Sequence, residues 1–327
     1  HIVGDAWSYS NILLPELFQI YSSLLIGKES PLKPLEFQYA DFALWQRELL
    51  TEEKLAEQLH YWQEKLADIE PLNLSTDKPR PAQQSYRGDA VSITLDGDLS
   101  KALKGLAKEH NVTLYMLFNA AFSILLSRYS GQEDIVMGSP VANRHYPGTE
   151  NIIGFFVNTL VIRNQVDSQG SFIDLLRSVK VACIESYNYQ DIPFEYVLSE
   201  LDVERDPSRH PIFQVMYNYL NSNEKLEINL DDLTIEVVKH DSKISKFDLS
   251  FTVTEDINAI AVSFEYATDL FHQDAISRMT CHCENILEAI VKAPAEALKN
   301  IEMLSEKEKH QLLVEWNDTA ADYPQEK

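Results

Sequence analysis

The feature that most limits how this 327-residue chain can fold is the run Asp77-Lys78-Pro79-Arg80-Pro81. Each proline lacks an N–H and restrains the residue before it, so neither a helix nor an interior strand continues through the run. The chain is thereby cut into a shorter part that reads as helix and a longer part that alternates. Before the cut, Ile12, Leu13, Leu17, Ile20, Tyr21, Leu24 and Leu25 recur at helical spacing, with Gly27 as a stop. A second helical region runs from about Tyr39 through Leu66. Its apolar stripe is Phe42, Trp45, Leu49, Leu55, Leu59, Trp62 and Leu66, and Thr51 offers an interior break or N-cap. After the cut, strand patterns at 91–95, 135–141, 155–162, 212–220, 226–239, 247–254 and 260–266 alternate with helical ones at 99–109, 113–129, 171–187 and 273–291. This mixture predicts an α/β fold with helices packed on a mixed sheet. A short charged helix starts at Leu304, and the sequence from Trp316 to Pro324 loses periodicity as a connector does. Three regions follow: 1–76, 77–303 and 304–327.

The length allows about two lobes at roughly 100 to 200 residues per domain. Acidic residues outnumber basic ones by 51 to 28, and the net charge of -23 argues against a nucleic-acid surface and a polyanionic substrate. The apolar run from Met116 to Leu126 is interrupted by Asn119 and Ser123 and falls short of a bilayer span, and no signal peptide is visible. Cys183, Cys281 and Cys283 are too few for a disulfide framework and fit a reducing cytoplasm. Cys281-His282-Cys283 invites a metal reading. Within a helix, however, successive side chains point about 100° apart and no fourth ligand is evident, so an ordinary helix is the competing reading.

Chemistry enters at His1-Ile2-Val3-Gly4-Asp5-Ala6-Trp7-Ser8. A histidine of near-neutral pKa can take or share a proton, and an aspartate nearby can fix its ring or support its loop. By spacing alone, a surface histidine with a helix-capping aspartate is the favoured reading, and the motif gains weight only through its companions. The companions are Tyr39-Ala40-Asp41-Phe42-Ala43-Leu44-Trp45-Gln46, the segment from Ile153 to Arg163, Asn188-Tyr189-Gln190-Asp191-Ile192-Pro193-Phe194-Glu195, and Arg205-Asp206-Pro207-Ser208-Arg209-His210-Pro211-Ile212. Three of them have a structural alternative: a buried helix face for the first, a strand end satisfied by Asn158 and Thr159 for the second, and a capped, ion-paired turn for the last.

In this order and spacing the segments resemble the condensation domains of non-ribosomal peptide synthetases. The opening resembles their HHxxxDG motif from its second histidine onward. The others resemble YxDFAxWQ, IGxFVNTLxxR, HxxQDxPFE with Asn188 differing, and RDxSRNPL with His210 in place of the asparagine. Leu313 to Pro324 resembles the connector to a following adenylation domain.

The resemblance implies the two-lobed sandwich of chloramphenicol-acetyltransferase-like enzymes. Residues 1–76 would close the first lobe, 77–303 would form the second, and 304–327 would lead to an adenylation domain. It implies amide formation between a donor thioester and the amine of an aminoacyl thioester. No cofactor is bound directly; both substrates ride on phosphopantetheine arms of upstream and downstream peptidyl carrier proteins. The remaining partners are the adenylation domain and the missing part of the first lobe, with no nucleic acid, no membrane and a cytoplasmic setting. His1 is the implied catalytic residue, with Asp5 and Arg144 supporting it. Ala6, Trp7, Ser8 and Asn158 are channel or acceptor-side candidates, and Arg205, Asp206 and Ser208 form a structural motif. Ala6 stands where the motif has glycine and adds a Cβ beside the channel. A chain starting at His1 carries an α-amino charge beside the imidazole, which implies that this stretch alone is inactive. An epimerising relative, a coenzyme A-dependent acyltransferase and a non-catalytic docking platform are the alternatives.

Overall fold

The computed structural model describes residues 2–201, 203, 206–221, 243–256 and 259–319. His1, Arg205 and the strand expected over 226–239 lie outside the described residues.

The part after the prolines is built on a six-stranded mixed sheet. Its strands are β1 (Gly88–Leu95), β2 (Asp134–Val141), β3 (Asn158–Gln165), β4 (Val215–Asn221), β5 (Leu249–Glu255) and β6 (Ile260–Ala267), in the order β1-β6-β5-β4-β2-β3. β4 runs parallel to β2 and β5, and the remaining pairs are antiparallel. β6 alternates between buried and partly exposed residues and β1, between its buried ends, between partly buried and exposed ones, as strands with one covered face do. β2 is buried almost continuously from Ile135 to Ser139.

Helices α4 (Gly97–Glu109), α5 (Leu114–Ser130), α6 (Phe172–Asn188) and α8 (Gln273–Lys292) pack on the sheet and on one another, and α7 (Phe194–Glu200) sits beside β3. The interior of this layer is α5, buried from Met116 to Leu126. The two polar residues that interrupt its sequence are both used. Asn164 on β3 donates its Nδ2 to Asn119 Oδ1 at 2.6 Å and to Ser123 Oγ at 2.9 Å, which is how polar groups are accommodated in a core. The helix ends at Gly131, whose φ of 73° is the left-handed conformation that glycine adopts without strain.

The proline run itself is irregular and is tied down by charge. Arg80 donates to both carboxylate oxygens of Asp248 and to Ser208 O at 3.2 Å. Ahead of it, α2 (Tyr39–Leu49) and α3 (Glu52–Lys65) replace the single helical region, because Thr51 Oγ1 accepts from Lys54 N and caps a new helix. α3 sends Trp62 into the main core, and α2 joins a smaller cluster of Phe42, Ile152 and Phe156. α1 (Leu14–Leu25) follows a π-helical turn over Ser8–Leu13. Pro15 explains the turn: it has no N–H to offer Asn11, and its ring would collide with that carbonyl in an α register.

The connector helix α9 (Glu306–Leu313) opens with a Ser305–Glu308 capping box. Glu308 also meets His282 of α8, whose Nε2 lies 2.9 Å from Glu308 Oε1 and whose Nδ1 lies 2.7 Å from Tyr129 Oη. Both ring nitrogens are engaged; Cys283 is buried and Cys281 faces solvent. Among the described residues no single helix is long and apolar enough to cross a membrane.

Candidate active site

Asp5 is the junction of three chain segments. It precedes the first helical residue, Ala6, and its Oδ1 accepts from Ser8 N at 2.8 Å, an N-cap contact. The same oxygen meets Ser8 Oγ at 2.8 Å and Arg144 Nη2 at 3.0 Å. Its Oδ2 accepts from Phe156 N at 3.0 Å and Val157 N at 3.2 Å. The capping and ion-pairing readings of this aspartate are therefore both realised, on different donors of one carboxylate.

Those contacts explain a shifted boundary. The sequence predicts β3 from residue 155, but it begins at Asn158 because the N–H groups of Phe156 and Val157 are spent on Asp5 rather than on a neighbouring strand. β4 likewise starts at Val215 and not at 212, since Ile212 N and Phe213 N turn toward His210 Nδ1, each at 3.3 Å.

Arg144 follows the end of β2 and is as deeply placed as its partner, with side-chain exposures of 2% for Arg144 and 3% for Asp5. Its Nη1 donates to Thr149 O at 2.6 Å and Ile152 O at 2.7 Å, its Nη2 also reaches Ser8 Oγ at 2.8 Å, and its plane lies 4.1 Å from the Phe156 ring centroid. Burial pushes the Arg144 pKa down, against the pull of Asp5, yet a guanidinium stays charged. For Asp5 burial is the largest influence and raises the pKa. The Ser8 and Phe156 hydrogen bonds and the Arg144 charge outweigh it, holding the carboxyl below its ordinary value.

The other candidates separate. Ser8 is fully buried, and its hydroxyl accepts from Arg144 and from Gly154 N, so it belongs to the junction rather than to a channel wall. Trp7 donates its Nε1 to Glu150 O at 3.0 Å, fastening the helix start to the loop after β2. Ala6 is exposed. Asn158 has no amide atom left for a ligand: Nδ2 donates to Gln190 O and Ile192 O, and Oδ1 accepts from Thr159 N and Phe194 N. It clamps the 188–195 segment to the start of β3, which is the strand-end role open to this residue. Asp206 accepts from Ser208 N at 2.8 Å and Arg209 Nε at 2.9 Å, far from the Asp5 junction in its contacts.

One cluster escaped the sequence reading. Asp191 receives Lys54 Nζ at 2.7 Å and Tyr146 Oη at 2.9 Å and lies 3.1 Å from His145 Nε2, so it pins the residues that follow Arg144 to α3. Burial raises its pKa, but the Lys54 and Tyr146 contacts prevail and lower it. Asp191 belongs to one of the motif segments; Lys54 and Tyr146 belong to none, and only the fold brings them together. Beside this cluster, a cavity of about 410 Å³ opens between α2 and the loop, lined by Phe37, Phe42, Trp45, Tyr146 and Pro147 among others.

With this geometry in hand, comparison with known proteins is decisive. Residues 1–313 match the family model described as "Condensation domain". The chain belongs to the condensation-domain family. That family forms peptide bonds between substrates carried on phosphopantetheine arms of carrier proteins, an acyltransferase-type reaction with no directly bound cofactor. The chain is 41% identical over 99% of its length to part of gramicidin S synthase 2 of Aneurinibacillus migulanus, and 39% identical over its whole length to part of bacitracin synthase 3 of Bacillus licheniformis. It spans only 7% and 5% of those proteins. Among solved structures, the X-domain in its complex with OxyB from teicoplanin biosynthesis superposes with a TM-score of 0.82 at 26% identity, over 93% of this chain and 68% of that one. The first condensation domain of the calcium-dependent antibiotic synthetase gives 0.76 at 18% identity over 93% of this chain and 66% of that one, a likeness of fold alone. Condensation domains with this α/β architecture thus share the chloramphenicol-acetyltransferase-like fold.

Proposed function

We propose that His1 is the group of this condensation domain that meets the reacting amine, and that Asp5 and Arg144 serve by holding its loop. The observation that carries the reading is the buried Asp5–Arg144 pair, four residues downstream of His1 and tied to the loop after β2. A carboxylate held by two backbone N–H groups, a serine and a guanidinium is fixed in charge and place, which suits a support and not a proton carrier. His1 then orients the α-amine, takes its proton, or stabilises the tetrahedral adduct as the amine nitrogen bonds to the thioester carbon and the donor thiol leaves. Most of the rate comes from alignment, because holding two tethered reactants together makes their encounter intramolecular.

The donor arrives on an upstream carrier protein and the acceptor on a downstream one, and residues 304–327 lead toward an adenylation domain. The test is a single turnover by the complete synthetase with both carriers loaded. His1→Ala is expected to abolish dipeptide formation while carrier binding persists; turnover at the wild-type rate refutes the reading. The product also separates the competitors: an inverted residue marks epimerisation, acyl transfer from coenzyme A marks a free-standing acyltransferase, and no product from the wild type marks a docking platform.

A further inference from the structure

We infer that Tyr39 is a positioning residue for condensation, acting through the backbone that grips Asp5; the inference rests on the supporting role proposed for that aspartate. Tyr39 is the first residue of α2, and its neighbours on the helix, Phe42 and Trp45, are the apolar stripe read from the sequence. Its hydroxyl does something a stripe does not require. It donates to Phe155 O at 2.7 Å, across 116 residues of chain.

Phe155 lies between the two groups that matter. Gly154 N donates to Ser8 Oγ, and Phe156 N and Val157 N donate to Asp5 Oδ2. The phenol therefore anchors the middle of a four-residue clasp in which the N–H groups of Gly154, Phe156 and Val157 end on the Asp5 junction. The ring closes the clasp from the side. It stands edge-on to Phe156, with centroids 5.2 Å apart, and Phe156 in turn lies under the Arg144 guanidinium. Its packing also explains Gly154, where a Cβ would come within 2.2 Å of Tyr39 Cδ2 and 2.7 Å of Cγ. Helix, clasp and ion pair are one contact chain: α2, Tyr39, the 154–157 backbone, Asp5, Arg144. Burial and the nearby Asp5 charge both raise the Tyr39 pKa, so the phenol keeps its proton and remains a donor.

Removing only the hydroxyl takes the Tyr39 hydrogen bond from the Phe155 carbonyl and slackens the N–H donors on Asp5 without emptying the core. Tyr39→Phe in the complete synthetase is expected to lower the single-turnover condensation rate about fivefold to tenfold, the equivalent of one hydrogen bond. The KM for loaded carrier protein should stay at its wild-type value, and the thermal midpoint should fall by no more than about 4 °C. Amide exchange should quicken within 153–157 and not elsewhere in the sheet. A wild-type rate in Tyr39→Phe overturns the inference, and so does a rate that falls only in step with the thermal midpoint. Asp5→Asn in the same assay separates the two levels of argument. If it retains full turnover, the supporting role of Asp5 fails; if it is impaired while Tyr39→Phe is not, only the inference fails.

Discussion

The junction at Asp5 and the turn from Asp206 to Phe213 use the same three residue types, an aspartate, a serine and an arginine, to opposite ends. In the turn both side-chain partners of the aspartate are local: Ser208 lies two residues from Asp206 and Arg209 three, with side-chain exposures of 38% for Asp206 and 32% for Arg209. At the junction the arginine comes from 139 residues away and both charges are almost completely buried. Water screens the first pair and makes it worth little; it cannot reach the second, whose charges depend on each other. Identical chemistry thus shapes a loop in one place and locks segments together in the other. What the turn adds is His210, stacked on Phe213 at 4.1 Å and accepting two backbone N–H bonds.

The contrast breaks most easily at Arg144. Arg144→Met leaves the Asp5 carboxylate buried without its counter-ion and is expected to cost about 3–5 kcal/mol in urea unfolding. A loss no larger than that of an exposed ion pair, up to about 1 kcal/mol, would show that a stranded buried charge is not the cause.

His210 sharpens the comparison through pH. Burial pushes its pKa down from 6.5 to about 4, so the folded ring stays neutral while the unfolded one protonates. The unfolded state then binds the extra proton, and stability rises with pH across the window from about 4 to 6.5 and is complete above it. A loss on the order of 2–3 kcal/mol is expected on acidification through that window. The difference between wild type and His210→Asn isolates it from the carboxylates that titrate nearby, and parallel pH curves for the two proteins would contradict the assignment. Smallest of all is the exposed pair. Asp206→Asn should leave the denaturation midpoint where it is, and a clear shift would mean that the turn carries more of the fold than its exposure suggests.

Much of this was readable in the sequence because it is periodic. The α5 pattern, the alternation in β1 and β6, the Thr51 cap and the break at Pro79 and Pro81 are properties of a few consecutive residues. Boundaries failed where a distant group captured the backbone, as Asp5 does at Phe156 and Val157, or where a side chain turned it locally, as His210 does before β4. The short α7 was missed because seven residues after Pro193 hold too few turns to declare a period.

For the site, the sequence by itself determined which residues are chemically fit: an imidazole and a carboxylate four apart, an arginine after a strand, an amide at a strand start. Only the tertiary structure decided what each does. It saturated Asn158 with backbone partners, buried Ser8, gave Asp191 to Lys54 and Tyr146, and joined Tyr39 to a carbonyl far along the chain. Residue type and spacing set what a group can donate or accept, whereas burial and the partner across the fold set whether that capacity is free for a substrate or already consumed by the protein.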